Sequence, residues 1–347
     1  MLNKKVTIKG LLVASVASSI VTFAICYKAY KKSNLHAATV TSIPETVQSS
    51  GSSCELTAQR LQGFKLINPL LFADKTCESG NYKGLKIELQ DAISRFKQNG
   101  ILDNASVYIR VFGKGDFISI NENAMFHPGS LIKLPILITY LKMEERNPGV
   151  LNKKLVFNLP KSGVPQQTYN SNQIVPGRTY SIKELLKYMI AYSDNNATFI
   201  LNNNVDLDAF KKMFSDFGLV VPDVHDINYQ ISAKDYSAFL KVVYNSGYLK
   251  TEDSEFIAEL LTECDFKDGI QSGLPNSIPL AHKFGEWGDR NNPEIHQLSE
   301  SGIVYLDQTP YLLTIMTQGK DVKKLPDVLN AISKITYNNI KEVAVTF

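Results

Sequence analysis

Apolar residues recur at helical spacing in "KGLKIELQDAISRFKQNG", which closes on Asn99-Gly100 and predicts a helix. "ASVYIRVFGKGDFISINE" follows and predicts two strands joined at Gly113-Lys114-Gly115. "FHPGSLIKLPILITYLK" predicts a strongly apolar helix that begins at Ser130, just after Pro128-Gly129. A polar, proline-containing loop covers 158–177. "SIKELLKYMIAY" opens with Ser181 and carries Glu184 three residues on, the signature of a capping box. Further helices are predicted over 197–203, 208–217, 233–244 and 254–261. Near the end, "IPLAHKFG", "SGIVYL" and "PYLLTIMT" read as three strands, and "LPDVLNAISKITYNNI" as a closing helix. The order helix, two strands, helical middle, three strands, helix predicts an α/β fold of the α+β kind. Strands from both ends share one antiparallel sheet packed by the terminal helices, and the inserted helical middle forms a second lobe. A cleft between the two is the expected place for a site.

The N-terminus has its own pattern. Lys4, Lys5 and Lys9 precede an apolar run over 11–26, and Lys28, Lys31 and Lys32 follow it. The run is short for a spanning helix of about 20 residues, and no small-residue cleavage site follows it. Residues 1–32 are expected to be an uncleaved membrane anchor, with a cleaved signal peptide as the alternative. Ile25 is too bulky to make Cys26 a lipid-attachment site of the usual kind. The Ser/Thr-rich segment 33–53 reads as a linker, 54–84 as a pre-domain segment and 85–347 as the main domain. Cys54 and Cys77 could pair across the pre-domain segment or remain thiols; Cys264 reads as a small buried hydrophobe.

With 347 residues, 44% of them hydrophobic, the chain can bury a sizeable core. A net charge of +3 with dispersed basic residues gives no nucleic-acid footprint. No repeat period is visible. The five histidines, His36, His127, His225, His282 and His296, lack metal-ligand spacing, and no glycine-rich phosphate loop occurs, so neither metal nor cofactor is expected. His127 and His282 lie near the motifs below and read as packing residues. A monomer is expected.

Candidate chemistry sits in three places. Ser-x-x-Lys occurs at Ser130–Lys133 and at Ser94–Lys97. The second lies inside an amphipathic helix; the first opens a helix after a chain break. There the serine's backbone N–H is unpaired and can bind an oxyanion. Lys133, three residues on, shares its face, and burial would make it a base. A capping serine with a snorkelling lysine is the structural alternative. The second place is the turn Ser193-Asp194-Asn195, between two predicted helices. The third is Lys283-Phe284-Gly285 at a strand end, preferred to Lys161-Ser162-Gly163 in the proline loop. Gly285 there would let a substrate lie against the backbone.

Ser130-Leu-Ile-Lys133, Ser193-Asp-Asn195 and Lys283-Phe-Gly285, in this order, resemble the class A β-lactamase and penicillin-binding-protein superfamily over roughly 85–340. "ISAKDYSAFLKVVY", "DGIQSGLPNSIPLAHK" and "SGIVYLDQTPYLLTIMT" extend the likeness. The resemblance implies an exported serine hydrolase acting on a small-molecule or peptide acyl donor. It makes Ser130 the acylated nucleophile and Lys133 its base. Ser193 would relay a proton to the leaving group, and Asn195 would bind a substrate amide. Lys283 would steady Ser193 and attract a substrate carboxylate. The N–H groups of Ser130 and Glu286 would form the oxyanion hole, with Phe284 and Gly285 of the strand box at the cleft; Trp287, just beyond the box, could line the cleft or pack at its rim.

Two departures stand out. No glutamate lies between Asn195 and Lys250, where the family carries the base that releases the acyl-enzyme; Asp223 or Asp226 are the candidate substitutes. Phe284 replaces the Ser or Thr hydroxyl of the strand box and would add bulk to the cleft. Slow deacylation is therefore expected. Three readings stay open: a β-lactamase-like hydrolase, a peptidase or esterase, and a non-catalytic binding domain of the same fold.

Overall fold

The computed structural model describes residues 54–158, 164, 167–169, 171–223 and 229–345. The apolar run 11–26, the linker, Lys161-Ser162-Gly163, His36, His225 and Asp226 lie outside them. The described strands are β1 Leu56–Arg60, β2 Leu70–Lys75, β3 Asn104–Val111, β4 Asp116–Ile120, β5 Met125–Phe126, β6 Lys154–Val156, β7 Thr179–Ser181, β8 Ile231–Ser232, β9 Leu280–Gly288, β10 His296–Val304 and β11 Tyr311–Gly319. The helices are α1 Lys83–Gln98, α2 Lys133–Arg146, α3 Ile182–Ala191, α4 Asn195–Asn202, α5 Leu207–Asp216, α6 Ala233–Tyr244, α7 Thr251–Thr262 and α8 Leu325–Val345. Five strands form one antiparallel sheet in the order β4-β3-β11-β10-β9. Strands from the two ends of the domain thus share one sheet, joined where β3 pairs with β11, and β4 and β9 are its edges.

Alternation along the strands divides the core into two. On one face Val107, Ile109, Leu298, Leu313 and Ile315 pack with Leu85, Leu89 and Ile93 of α1 and Val328, Leu329 and Ile332 of α8. On the other, Tyr108, Leu312 and Met316 join the helical lobe, built on the buried Leu134, Leu137 and Leu141 of α2. The capping box forms as its sequence predicts: Ser181 Oγ accepts from the Glu184 N–H, and Glu184 reaches back to the Ser181 N–H. Gly113 and Gly115 take positive φ and turn β3 into β4.

Segment 54–84 carries the β1–β2 hairpin, with a Cys54–Cys77 disulfide at a Cα separation of 5.5 Å. Leu71 and Phe72 are buried in the helical-lobe core. Asp74 accepts from Arg110 of β3 and, at 2.7 Å, from Lys241 of α6. Two buried cations thus share one carboxylate, which ties the hairpin to the sheet. Cys264 is free and fully buried. Among the described residues no helix is long and apolar enough to cross a membrane.

Candidate active site

The chain after Pro128 makes a 3-10 turn over Gly129–Ile132, and the α-helix begins only at Lys133. The expected helix start at Ser130 is therefore a tighter turn. In a 3-10 turn residues i and i+3 eclipse, which aligns Ser130 with Lys133. No side chain caps either segment, so Ser130 is not held as a helix cap.

The turn rests on the edge strand. Gly129 has φ +51°, and a Cβ there would stand 2.9 Å from the carbonyl carbon of Glu286. A Cβ on Gly285 would stand 2.7 Å from the Leu131 nitrogen and 2.9 Å from that of Ser130. The two glycines let β9 and the serine turn meet backbone to backbone. Gly285 was expected to admit substrate; it is buried and admits the Ser130 turn instead. Leu131 is further fixed by its N–H to Pro128 O and by Tyr236 Oη, which donates to Leu131 O at 2.9 Å.

Lys133 is 2% exposed. Its Nζ donates to Ser193 O at 2.5 Å and to Asn195 Oδ1 at 2.8 Å, and stands 3.2 Å from Ser193 Oγ. Burial, then the charge of Lys283, holds the amine well below its ordinary affinity for a proton, against the opposing pull of Asp194 and Glu286. A neutral amine has two N–H groups and one lone pair. The two carbonyl oxygens take the N–H groups, and the lone pair is left for a hydroxyl.

Ser193 is held with φ +51°, a left-handed backbone uncommon outside glycine and a mark of functional strain. Asp194 caps α4, accepting from the Asn196 N–H at 2.8 Å, and its other oxygen accepts from the Ile174 N–H at 2.9 Å. Burial raises its carboxyl, opposed by those N–H groups and by Lys133.

Lys283 is wholly buried, and its Nζ donates to Phe284 O at 2.9 Å and lies 4.2 Å from the Phe284 ring centre. Burial lowers it to about 8, against the pull of Cys264, Asp265, Glu300 and Glu286. Beside it on the strand, His282 Nδ1 pairs with Glu300 Oε1 at 2.6 Å, both fully buried. Burial disfavours the imidazolium, but Cys264 and Glu300 raise His282 to about 10. An unfolded Lys283 keeps its proton to its ordinary 10.5, whereas the folded one releases it near 8. Between these values the unfolded chain binds more protons, so stability rises with pH across the window and the penalty is full below it. Lys283→Met is expected to raise Tm at neutral pH by several degrees, for a gain of no more than about 3 kcal/mol. Calorimetry at pH 7 and pH 10 should show the advantage shrinking.

Phe284 departs from expectation. It is 1% exposed, stacked on Phe266 at 4.4 Å and edge-on to Tyr169 at 6.2 Å, within the core beneath α8. It does not line the cleft, because its position in β9 turns its side chain with Leu280 and Leu298 towards the terminal helices. Trp287 is half-buried and stacks on His127, 3.8 Å between ring centres. Asp223 is exposed in the loop after α5.

Gln167 also reaches the Ser193 turn, though no motif points to it. Its Nε2 donates to Ser193 O at 2.5 Å, and its Oε1 lies 3.4 Å from Ser193 Oγ. The next N–H, of Thr168, donates to Glu286 Oε1. Gln167 and Thr168 thus bridge the Ser193 turn and β9. These residues lie in a loop without periodicity, so no spacing could single them out.

Sheet and helical lobe together have the architecture of the β-lactamase-like fold. The chain belongs to the beta-lactamase enzyme family: that family, described as Beta-lactamase2, matches residues 85–340. No protein of curated function matches it. PBP-A superposes with a TM-score of 0.62 at 18% identity, covering 75% of this chain and 97% of its own. A mutant of PBP-A, solved as an acyl-enzyme complex with penicillin G, gives 0.61 at 19%, with 75% and 97% covered. A class A β-lactamase from Bacteroides cellulosilyticus gives 0.63 at 19% identity, covering 74% and 99%. The class A enzyme from Mycobacterium abscessus gives 0.62 at 16%, with 73% and 99% covered.

Proposed function

We propose that this protein is a serine acyl-transfer hydrolase in which Ser130 is acylated by a β-lactam or a related acyl donor and released slowly. The observation that carries the reading is the buried Lys133 amine, fixed to Ser193 O and Asn195 Oδ1 and placed one 3-10 turn after Ser130. Lys133 takes the Ser130 proton as the hydroxyl attacks the acyl carbon. The N–H groups of Ser130 and Glu286 receive the oxyanion. Ser193, 3.2 Å from Lys133, passes a proton to the leaving group. A mutant of PBP-A, similar in fold, is known as an acyl-enzyme complex with penicillin G, and the same step is assigned here to Ser130.

Release is slow because no glutamate occurs between Asn195 and Lys250 to activate water. A missing general base costs on the order of 10²–10⁴ in rate. With a chromogenic cephalosporin, stopped-flow absorbance should show a burst of about one equivalent followed by a far slower steady phase. Linear turnover without a burst would contradict slow release. No reaction at all would favour the non-catalytic reading. An exported, membrane-anchored location is proposed with this function, on the apolar run at 11–26 between lysines.

A further inference from the structure

Glu286 is the one acidic residue of β9; it shares its face of the strand with Phe284, and its carboxylate lies against the loop at Gln167-Thr168 that also reaches Ser193. It follows Gly285, whose Cα lies against the Ser130 N–H, and its own carbonyl carbon lies against Gly129. One carboxylate oxygen, Oε1, accepts from the Thr168 N–H. The other, Oε2, is buried with no hydrogen-bond partner. A buried carboxylate oxygen costs free energy until a donor satisfies it. Burial raises the Glu286 carboxyl, while the N–H groups of Thr168 and Tyr169 and the charge of Lys133 favour its ionised form.

The surroundings decide which ligand suits it. Lys283 is buried under the Phe284 ring with its amine given to Phe284 O. Lys133 is committed to Ser193 and Asn195. Phe284 places a ring in the core where a hydroxyl would have offered a donor. A carboxylate entering here would meet Glu286 with no exposed amine to balance it; an ammonium group would meet an acceptor. The bridge made by Gln167 and Thr168 runs from Ser193 to Glu286. Glu286 therefore flanks the side of Ser130 on which Ser193 protonates the departing group.

Resting on the acyl-transfer reading above, we propose that Glu286 is a specificity residue that binds a cationic amine on the leaving group of the acyl donor and disfavours a carboxylate there. The test uses two thioesters of N-acetyl-D-alanine, one with 2-(dimethylamino)ethanethiol, whose tertiary ammonium cannot keep the acyl group as an amide, and one with thioglycolate as leaving group. Both leave the same acyl group on the protein. The Ser130 Oγ–carbon bond forms as the carbon–sulfur bond breaks, the hydroxyl proton goes to Lys133, and the thiolate is protonated through Ser193.

Intact-protein mass spectrometry gives each acylation rate, divided by that ester's rate with free hydroxylamine to remove intrinsic reactivity. The wild type is expected to prefer the dimethylaminoethyl ester by about tenfold or more, the scale of one desolvated charge contact. Glu286→Gln keeps an oxygen for the Thr168 N–H but loses the charge, and should bring the ratio close to one. Glu286→Asp should retain a preference of the same sign. A wild-type ratio near one, or a ratio unchanged in Glu286→Gln, would overturn the proposal while leaving acylation itself intact. No Ser130 adduct from either ester would overturn the acyl-transfer reading, and this one with it.

Discussion

Lys133→Met is expected to slow acylation of Ser130 by on the order of 10²–10⁴, the usual worth of a positioned general base. Methionine matches the buried stem in length and removes an amine that burial already pushes towards its neutral form. The fold should therefore survive, and circular dichroism should match the wild type. The pH dependence gives the sharper reading. Lys133 works as a base only when neutral, so wild-type acylation should rise with pH through its lowered pKa and level off above it. The methionine variant should lose that limb while unfolding at the same or a higher temperature. Time courses of penicillin labelling across pH 5–9 check both points. A variant that keeps the wild-type profile would move the base elsewhere.

Phe284→Thr restores the hydroxyl that the family carries in its strand box, and simple analogy predicts improved handling of carboxylate-bearing substrates. The packing predicts the reverse. Phe284 fills a closed space between Phe266 and Tyr169 under the terminal helices. Truncation leaves a cavity lined by aromatic rings and buries a hydroxyl, at a cost of about 3–5 kcal/mol. Urea unfolding should show this loss as a lower midpoint with little change in slope. Cephalosporin acylation should not accelerate. Faster acylation in the variant would mean that residue 284 faces the cleft after all.

The elements with clean periodicity were legible before any coordinates. The turn at Gly113-Lys114-Gly115, the Ser181–Glu184 capping box and the amphipathic helices fall where their patterns place them. β10 was not fully legible. The sequence places its start at Ser301, yet the strand runs from His296. Its first half carries the buried polar residues Gln297 and Glu300, whose partners lie far away in sequence. Glu300 is paired with His282, and Gln297 accepts from the His127 N–H at 2.8 Å. The short, half-exposed β1 was invisible for the opposite reason, since it lacks an apolar face.

At the site, the motifs singled out Ser130, Lys133, Ser193, Asn195 and Lys283, and the structure brings Ser193 and Asn195 to the buried Lys133 amine, which follows Ser130 by one 3-10 turn. Direction was the missing information. Alternation in β9 sends Phe284 into the core, and the close approach at Gly285 serves the serine turn. The Gln167–Thr168 bridge depends on a loop whose path no local pattern encodes.

Intact-protein mass spectrometry after long exposure to penicillin G, with peptide mapping of any adduct, tests the central claim most directly. The account predicts one penicilloyl group per chain, located on Ser130, persisting for many times the half-time of its formation, and absent from Ser130→Ala. An adduct that survives Ser130→Ala, or a wild-type chain left unlabelled by both penicillin and a fluorophosphonate, would contradict it.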